Sequence, residues 1–246
     1  MESKFDNMQE LTLGEIVTND FHTAAIFEKF NLDFCCRGNK TIDEACRLKG
    51  IESKEVINEL QNLQGKKESD DLKFNVWDLD FLIDYIINNH HSYVKKMIPV
   101  ISLHADKVAS VHGDNHPEMV EVKEKFDVVY KDLKQHMLKE EQILFPFIKQ
   151  LVKAKKDDSI SEPPFFGTVK NPIKMMIDEH QAAGDELNRI RNITNSYSAP
   201  ADACNTFKTL LKELQEFEED LHKHVHLENN ILFPKAVILE EELITA

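Results

Sequence analysis

The chain has 246 residues, 41% of them hydrophobic, which is enough to bury one or two cores. It carries 44 acidic against 30 basic side chains, a formal charge of −14, and this balance argues against general binding to a phosphate backbone. Seven glycines and eight prolines are few for the length and disfavour sheet-and-turn architectures, and no stretch approaches the roughly 18 to 20 apolar residues of a membrane span. The four cysteines are too few and too unevenly placed for a disulfide scaffold, and the first residues have no apolar signal core. A cytoplasmic, reducing setting is therefore expected, with neither nucleic acid nor membrane as a partner.

Along the chain, Thr41-Ile42-Asp43-Glu44 has capping-box spacing and predicts a helix from Ile42. A second short helix should follow Ser53, carrying Val56, Ile57 and Leu60. The segment from Gln64 to Asp71 is polar and aperiodic and reads as a linker, separating a small module (1–66) from a larger domain (75–246). So small a module has a marginal core and should lean on a partner or on the larger domain. Four long helical patterns follow, over about 78–112, 117–152, 169–195 and 201–239, with Gly113 as a stop and Pro99 as a bend. Residues 154–168 form the one obvious loop between them. Apolar residues recur every three or four positions, so each helix buries one face. The fold class expected is all-α, an up-down four-helix bundle with a small helical N-terminal domain.

The buried stripes hold polar residues where the period demands apolar ones: His91, His136, Glu140, His180, His224 and Glu228. No Lys or Arg shares those stripes, and an unpaired buried carboxylate costs several kcal/mol or more. A bound cation resolves the conflict. An internal repeat sharpens the pattern, because residues 136–146 (HMLKEEQILFP) align without gaps to 224–234 (HVHLENNILFP). Histidine and glutamate four apart share one helix face, one turn apart. His180 lies 44 residues before His224 and His91 lies 45 before His136, so the bundle reads as two hairpins, each giving a His and then a His and a Glu. Four imidazoles and two carboxylates suit a carboxylate-bridged metal pair, with iron or manganese favoured and zinc also able to bind. His90 falls off the stripe through Ile87 and Val94, so His91 is preferred. His22, His90, His104, His112, His116, His222 and His226 are read as ordinary core or surface residues, and Glu141 as solvated or as supporting the site from outside.

Cys35 and Cys36 precede the capped helix, in the run Phe34-Cys35-Cys36-Arg37-Gly38. Adjacent cysteines close a disulfide on each other only with strain. Arg37, Lys40 and the helix N-terminus should favour their thiolates, so the pair reads as redox or metal-handling groups. Cys46 and Cys204 are expected to be buried within helices.

The paired His-x-x-x-Glu motifs ending in Ile-Leu-Phe-Pro, together with the Phe-Cys-Cys-x-Gly loop and its capped helix, resemble the di-iron iron–sulfur cluster repair proteins, the repair of iron centres family. The resemblance spans nearly the whole chain, a short Cys-Cys domain followed by a hemerythrin-like domain. It implies two iron ions in a non-haem di-iron centre, held by His91, His136, Glu140, His180, His224 and Glu228, with Cys35 and Cys36 as redox or iron-transfer thiols. It also implies iron–sulfur proteins with damaged clusters as partners, in a response to nitrosative or oxidative stress, with a homodimer left open. Whether the chain is an enzyme is left open too: a nitric oxide- or peroxide-reducing di-iron oxidoreductase and an oxygen- or nitric oxide-binding protein are the alternatives. The oxygen-carrying hemerythrins are a weaker match. Their third helix has histidines four apart where Met176 and Gly184 flank His180 here, and Asn229 stands where they place an aspartate.

Overall fold

Local capping and periodicity account for the helices of the computed structural model, which describes residues 10–63, 73–159 and 164–245. The linker expected over 64–71 lies outside these residues. In the small module α1 (Leu13–Asn19) and α3 (Ile42–Lys49) both begin with a complete capping box, Thr12 with Glu15 and Thr41 with Glu44. Between α1 and α3 lies α2 (Thr23–Lys29), and α4 (Ser53–Leu63) follows. An antiparallel bridge joins Thr12 to Thr41, so the two caps sit side by side. The start at Ile42 and the helix after Ser53 are as expected.

The chain separates into two compact units, and the division does not follow chain order. The first unit joins the small module, through Asp78, to Val225–Lys235 near the end of the sequence. Its core includes Leu13, Phe27, Phe34, Ile42, Val56 and Leu60, all buried. A module with so small a core gains from the added segment, as its size implied. His226 from that segment lies against the rings of Phe21 and Phe34, with centroids 5.8 and 5.9 Å away.

The second unit runs from Leu79 to His224 and resumes at Ala236. It contains α5 (Leu79–Tyr85), α6 (Ser92–His112), α7 (Glu118–Lys139), α8 (Phe145–Lys156) and α9 (Lys170–Ile193), then α10 (Asn205–Leu227) as far as His224 and α11 (Phe233–Thr245) from Ala236. Helix α7 packs against α6 and α9, and α5 packs against α8. The core is made by the predicted stripes, among them Val94, Ile98 and Ile101 of α6, Val122, Phe126, Val129 and Leu133 of α7, and Phe207, Leu210, Leu214 and Phe217 of α10. Burying each such side chain contributes about 1.5–3 kcal/mol. The described residues contain helices and no strand, so the chain is an all-α helical bundle. No described helix is long and apolar enough to cross a membrane.

Two expectations need correction. Cys204 is exposed and precedes α10 rather than lying buried inside it; its Sγ is 3.2 Å from His112 Nε2. The first, second and fourth long helices are not continuous α-helices, because each contains a π-turn, and that difference shapes the site.

Candidate metal centre

Among the described residues three π-turns interrupt the long helices: Ile86–His91, Glu140–Leu144 and Glu228–Leu232. The first ends on His91; the second and third open on Glu140 and Glu228. In each, an amide reaches back five residues: Ser92 N–H to Ile87 O, Phe145 N–H to Glu140 O and Phe233 N–H to Glu228 O. The cause of the last two is written in the repeat. Pro146 and Pro234 follow directly; proline has no N–H, and its ring collides with the carbonyl four residues back in a regular helix. Widening the preceding turn relieves that collision, and such turns recur at functional sites.

The π-turn also revises the first helix's register. Into the turn the buried face reads Leu79, Leu82, Ile83, Ile86, His90; from its last residue onward it reads His91, Val94, Ile98, Ile101. The inserted residue buries both histidines, whereas an unbroken period had placed Ile87 on the stripe and left His90 off it. Ile87 is only half-buried.

Within the second unit the structure brings together His91, His136, Glu140, His180 and His224, each no more than 1% exposed. The Nε2 atoms of His91 and His224 are 3.2 Å apart, and those of His180 and His136 are 2.9 Å apart. Glu140 Oε2 lies 3.4 Å from His91 Nε2 and 3.2 Å from His136 Nε2, so one carboxylate serves both pairs. The ligand atoms of His91, Glu140 and His224 lie within 4.8 Å of one another, and so do those of His136, Glu140 and His180. Glu228 is fully buried and stands four residues after His224 on the same helix face.

The outer ring nitrogens fix how these imidazoles face. His91 Nδ1 meets Glu141 Oε1 at 2.7 Å, and Lys95 Nζ donates to the same oxygen at 2.6 Å. His136 Nδ1 meets Glu179 Oε2 at 3.0 Å, and Lys139 donates to the other oxygen. Burial pushes the Glu141 carboxyl up, but the bonds from Lys95 and His91 outweigh it and hold it below the usual carboxylate range. Glu179 is held low by the His136 bond first, against burial, with help from Lys139. Ionised carboxylates only accept, so they take the Nδ1 protons and leave lone pairs on Nε2. Lone pairs facing each other at these separations need a proton or a cation between them. Imidazole and carboxylate donors with no thiolate among them fit iron, manganese or zinc. Lys95 and Lys139 end on the outer carboxylates, Glu141 and Glu179. The residues present therefore fit bound metal. Glu141 is not simply solvated; sequence had allowed it a supporting role, but had offered no signal for Glu179.

The remaining histidines lie elsewhere. His90 is buried, stacked on His224 with centroids 5.6 Å apart, and its Nδ1 meets Asp220 Oδ1 at 2.9 Å. His104 pairs with Glu213 at 2.7 Å, His116 with Glu118 and Asp202, and His22 with Asp20. His226 is a core histidine whose pKa burial pushes down to about 3. In the first unit Cys35 is buried and Cys36 half-buried, neither in a disulfide. The lowered pKa expected at Cys35 is not found. Its contact with Cys36 chiefly, then burial and the charge of Asp33, push the thiol well up, and the guanidinium of Arg37 faces Asp33 instead.

The hemerythrin HHE cation-binding domain matches residues 82–236, which span all six metal-ligand candidates, and the ScdA_N domain, described as of unknown function, matches residues 9–64. Curated relatives align over nearly their whole length. The chain belongs to the iron–sulfur cluster repair family. It is 34% identical to a probable iron–sulfur cluster repair protein of Haemophilus influenzae, covering 92% of this chain and 96% of that one. It is 31% identical to the repair protein ScdA of Staphylococcus haemolyticus (92% and 97% covered) and 33% identical to the repair protein YtfE of Musicola paradisiaca (93% and 97%).

Proposed function

We propose that this chain repairs iron–sulfur clusters damaged by nitrosative or oxidative stress, by supplying iron from a pair of ions held by His91, His136, Glu140, His180, His224 and Glu228. It would do so in the cytoplasm, as a 1–66 thiol domain joined to a 75–246 metal-binding domain, for client proteins whose clusters have lost iron. The observation that carries this reading is Glu140, fully buried between the Nε2 atoms of His91 and His136. When bound, the iron pair supplies exchangeable, redox-active cations. The chain's own residues do the rest. Glu140 is shared between the two sets, and Glu228 is its counterpart in the repeat. Glu141 and Glu179 keep the Nδ1 protons outward, so the ring nitrogens that face the site remain ligands. The apolar bundle around them keeps the site dry and the donor geometry fixed. The names and extents of the aligned relatives support repair as the role.

The test is recovery of a client enzyme whose four-iron cluster has been damaged by nitric oxide. Iron-loaded wild-type chain should restore activity faster than the same amount of free ferrous iron, and His136→Ala, with its iron content lowered, should not. Equal recovery by free iron and by the loaded chain would remove the reading.

A further inference from the structure

The turn that carries the cysteine pair is built around one carboxylate. Asp33 Oδ1 accepts the Cys36 N–H at 2.8 Å and the Arg37 N–H at 3.3 Å, folding residues 33–37 back on themselves. The fold brings Cys35 Sγ within 3.4 Å of Asp33 Oδ1 and 3.8 Å of Cys36 Sγ, and ligand atoms of all three residues lie within 4.8 Å of one another.

These separations have the size of coordination edges. Thiolates at about 2.3 Å from a tetrahedral metal stand about 3.8 Å from each other, and a carboxylate oxygen at about 2.0–2.2 Å stands roughly 3.5–3.7 Å from each sulfur. A disulfide instead requires about 2.05 Å between the sulfurs. The carbonyls of the turn are anchored from both sides as well. Asn229 donates to Cys35 O and Asn230 to Phe34 O, both at 3.2 Å. On the far side Gly14 N–H donates to Gly38 O and Leu13 N–H to Lys40 O, each at 2.8 Å. A Cβ at Gly38 would stand 2.2 Å from Phe34 O, so the turn closes only with glycine there.

We infer that Asp33, Cys35 and Cys36 form a metal site of their own, which takes one thiophilic divalent cation, such as ferrous iron or zinc, and leaves a coordination position open. Binding exchanges the two thiol protons for the cation: one M²⁺ enters, two S–M bonds form and two protons leave to solvent. Three protein ligands rather than four leave the ion open to a further ligand, since closed structural sites use four. Asn229 and Asn230 belong to the π-turn that Glu228 opens, so the helix carrying a proposed ligand of the iron pair also anchors this loop. A role as a way station for outgoing iron rests on the supply reading above; the site itself rests on the geometry of three side chains.

The experiment uses the full-length chain with its bundle loaded with iron, titrated anaerobically with cobalt(II). One further cobalt per chain should bind and give a thiolate-to-cobalt charge-transfer band in the difference spectrum, which imidazole and carboxylate ligands do not produce. Zinc should slow alkylation of Cys35 and Cys36 at least tenfold while leaving the exposed Cys204 unchanged. Cys35→Ser with Cys36→Ser should abolish the band. Asp33→Asn keeps an oxygen to accept the two amide hydrogens and should weaken cobalt binding about tenfold. No charge-transfer band, no zinc protection, or an unchanged affinity in Asp33→Asn, with the iron of the bundle intact, would overturn the site. Cobalt binding here without any client repair would leave the site standing and remove the supply reading.

Discussion

Glu140→Gln is nearly isosteric and removes one charge from a residue with no exposed surface. In the metal-free chain, the carboxylate's desolvation penalty of several kcal/mol disappears together with the opposition of its lone pairs to those on the Nε2 atoms of His91 and His136. The metal-free variant is therefore expected to melt at or above the wild type. With iron the order reverses. Free iron at about 1,000 times its dissociation constant stabilises a binding-competent chain by about 4.1 kcal/mol. At roughly 2–4 °C per kcal/mol for a protein of this size, the wild-type Tm should rise by about 8–16 °C. A neutral amide shared by both sets of imidazoles is a poor ligand, so Glu140→Gln should lose most of that rise. Scanning calorimetry of metal-stripped and anaerobically iron-loaded samples, with iron measured in parallel, gives both comparisons. A variant that still carries two irons and shows the full rise would refute the shared-carboxylate arrangement. So would a metal-free variant many degrees less stable than the wild type, since Glu140 would then be holding the bundle together without metal.

His91→Ala should lower iron content and change the iron absorption spectrum, whereas His90→Ala should keep the iron and lose about 1–3 kcal/mol of stability, because it strips Asp220 of its buried partner; equal spectral effects would undo the register given to the first π-turn. Glu141→Gln and Glu179→Gln should each weaken iron binding about 10–100-fold against a competing chelator, with little change in the metal-free melt. His226 is neutral in the folded chain and titrates near its ordinary value when unfolded, so its contribution to stability is complete above about pH 6.5. It is lost as pH falls from there toward about 3, at up to about 1.4 kcal/mol per pH unit. Urea titrations across that range should show the slope in wild type and a flatter one in His226→Phe. Replacing both Cys35 and Cys36 by Ala should leave the bundle's iron bound and slow its transfer to a client; loss of the bundle iron would place a thiol among its ligands.

The helices and the polar intruders on their apolar faces were legible in the sequence, because both follow from local rules. Thr41 with Glu44 caps α3 wherever it sits, and a period of three and four exposes His136, Glu140, His224 and Glu228 as anomalies without reference to any neighbour. The gapless repeat, with its terminal prolines, even carries the cause of two π-turns. What a single helix cannot encode is which side chains from other helices meet it. That decided the Nε2 pairs, His91 with His224 and His136 with His180, and gave the outer nitrogens of His91 and His136 to Glu141 and Glu179. The first π-turn has no proline after it, so the insertion that buries both His90 and His91 left no mark on the sequence. The state of Cys35 was likewise a tertiary matter. Arg37 and Lys40 are near in sequence, but folding sets Asp33 and the Cys36 thiol against the sulfur and removes water from it, and these nearer contacts outweigh more distant positive charge.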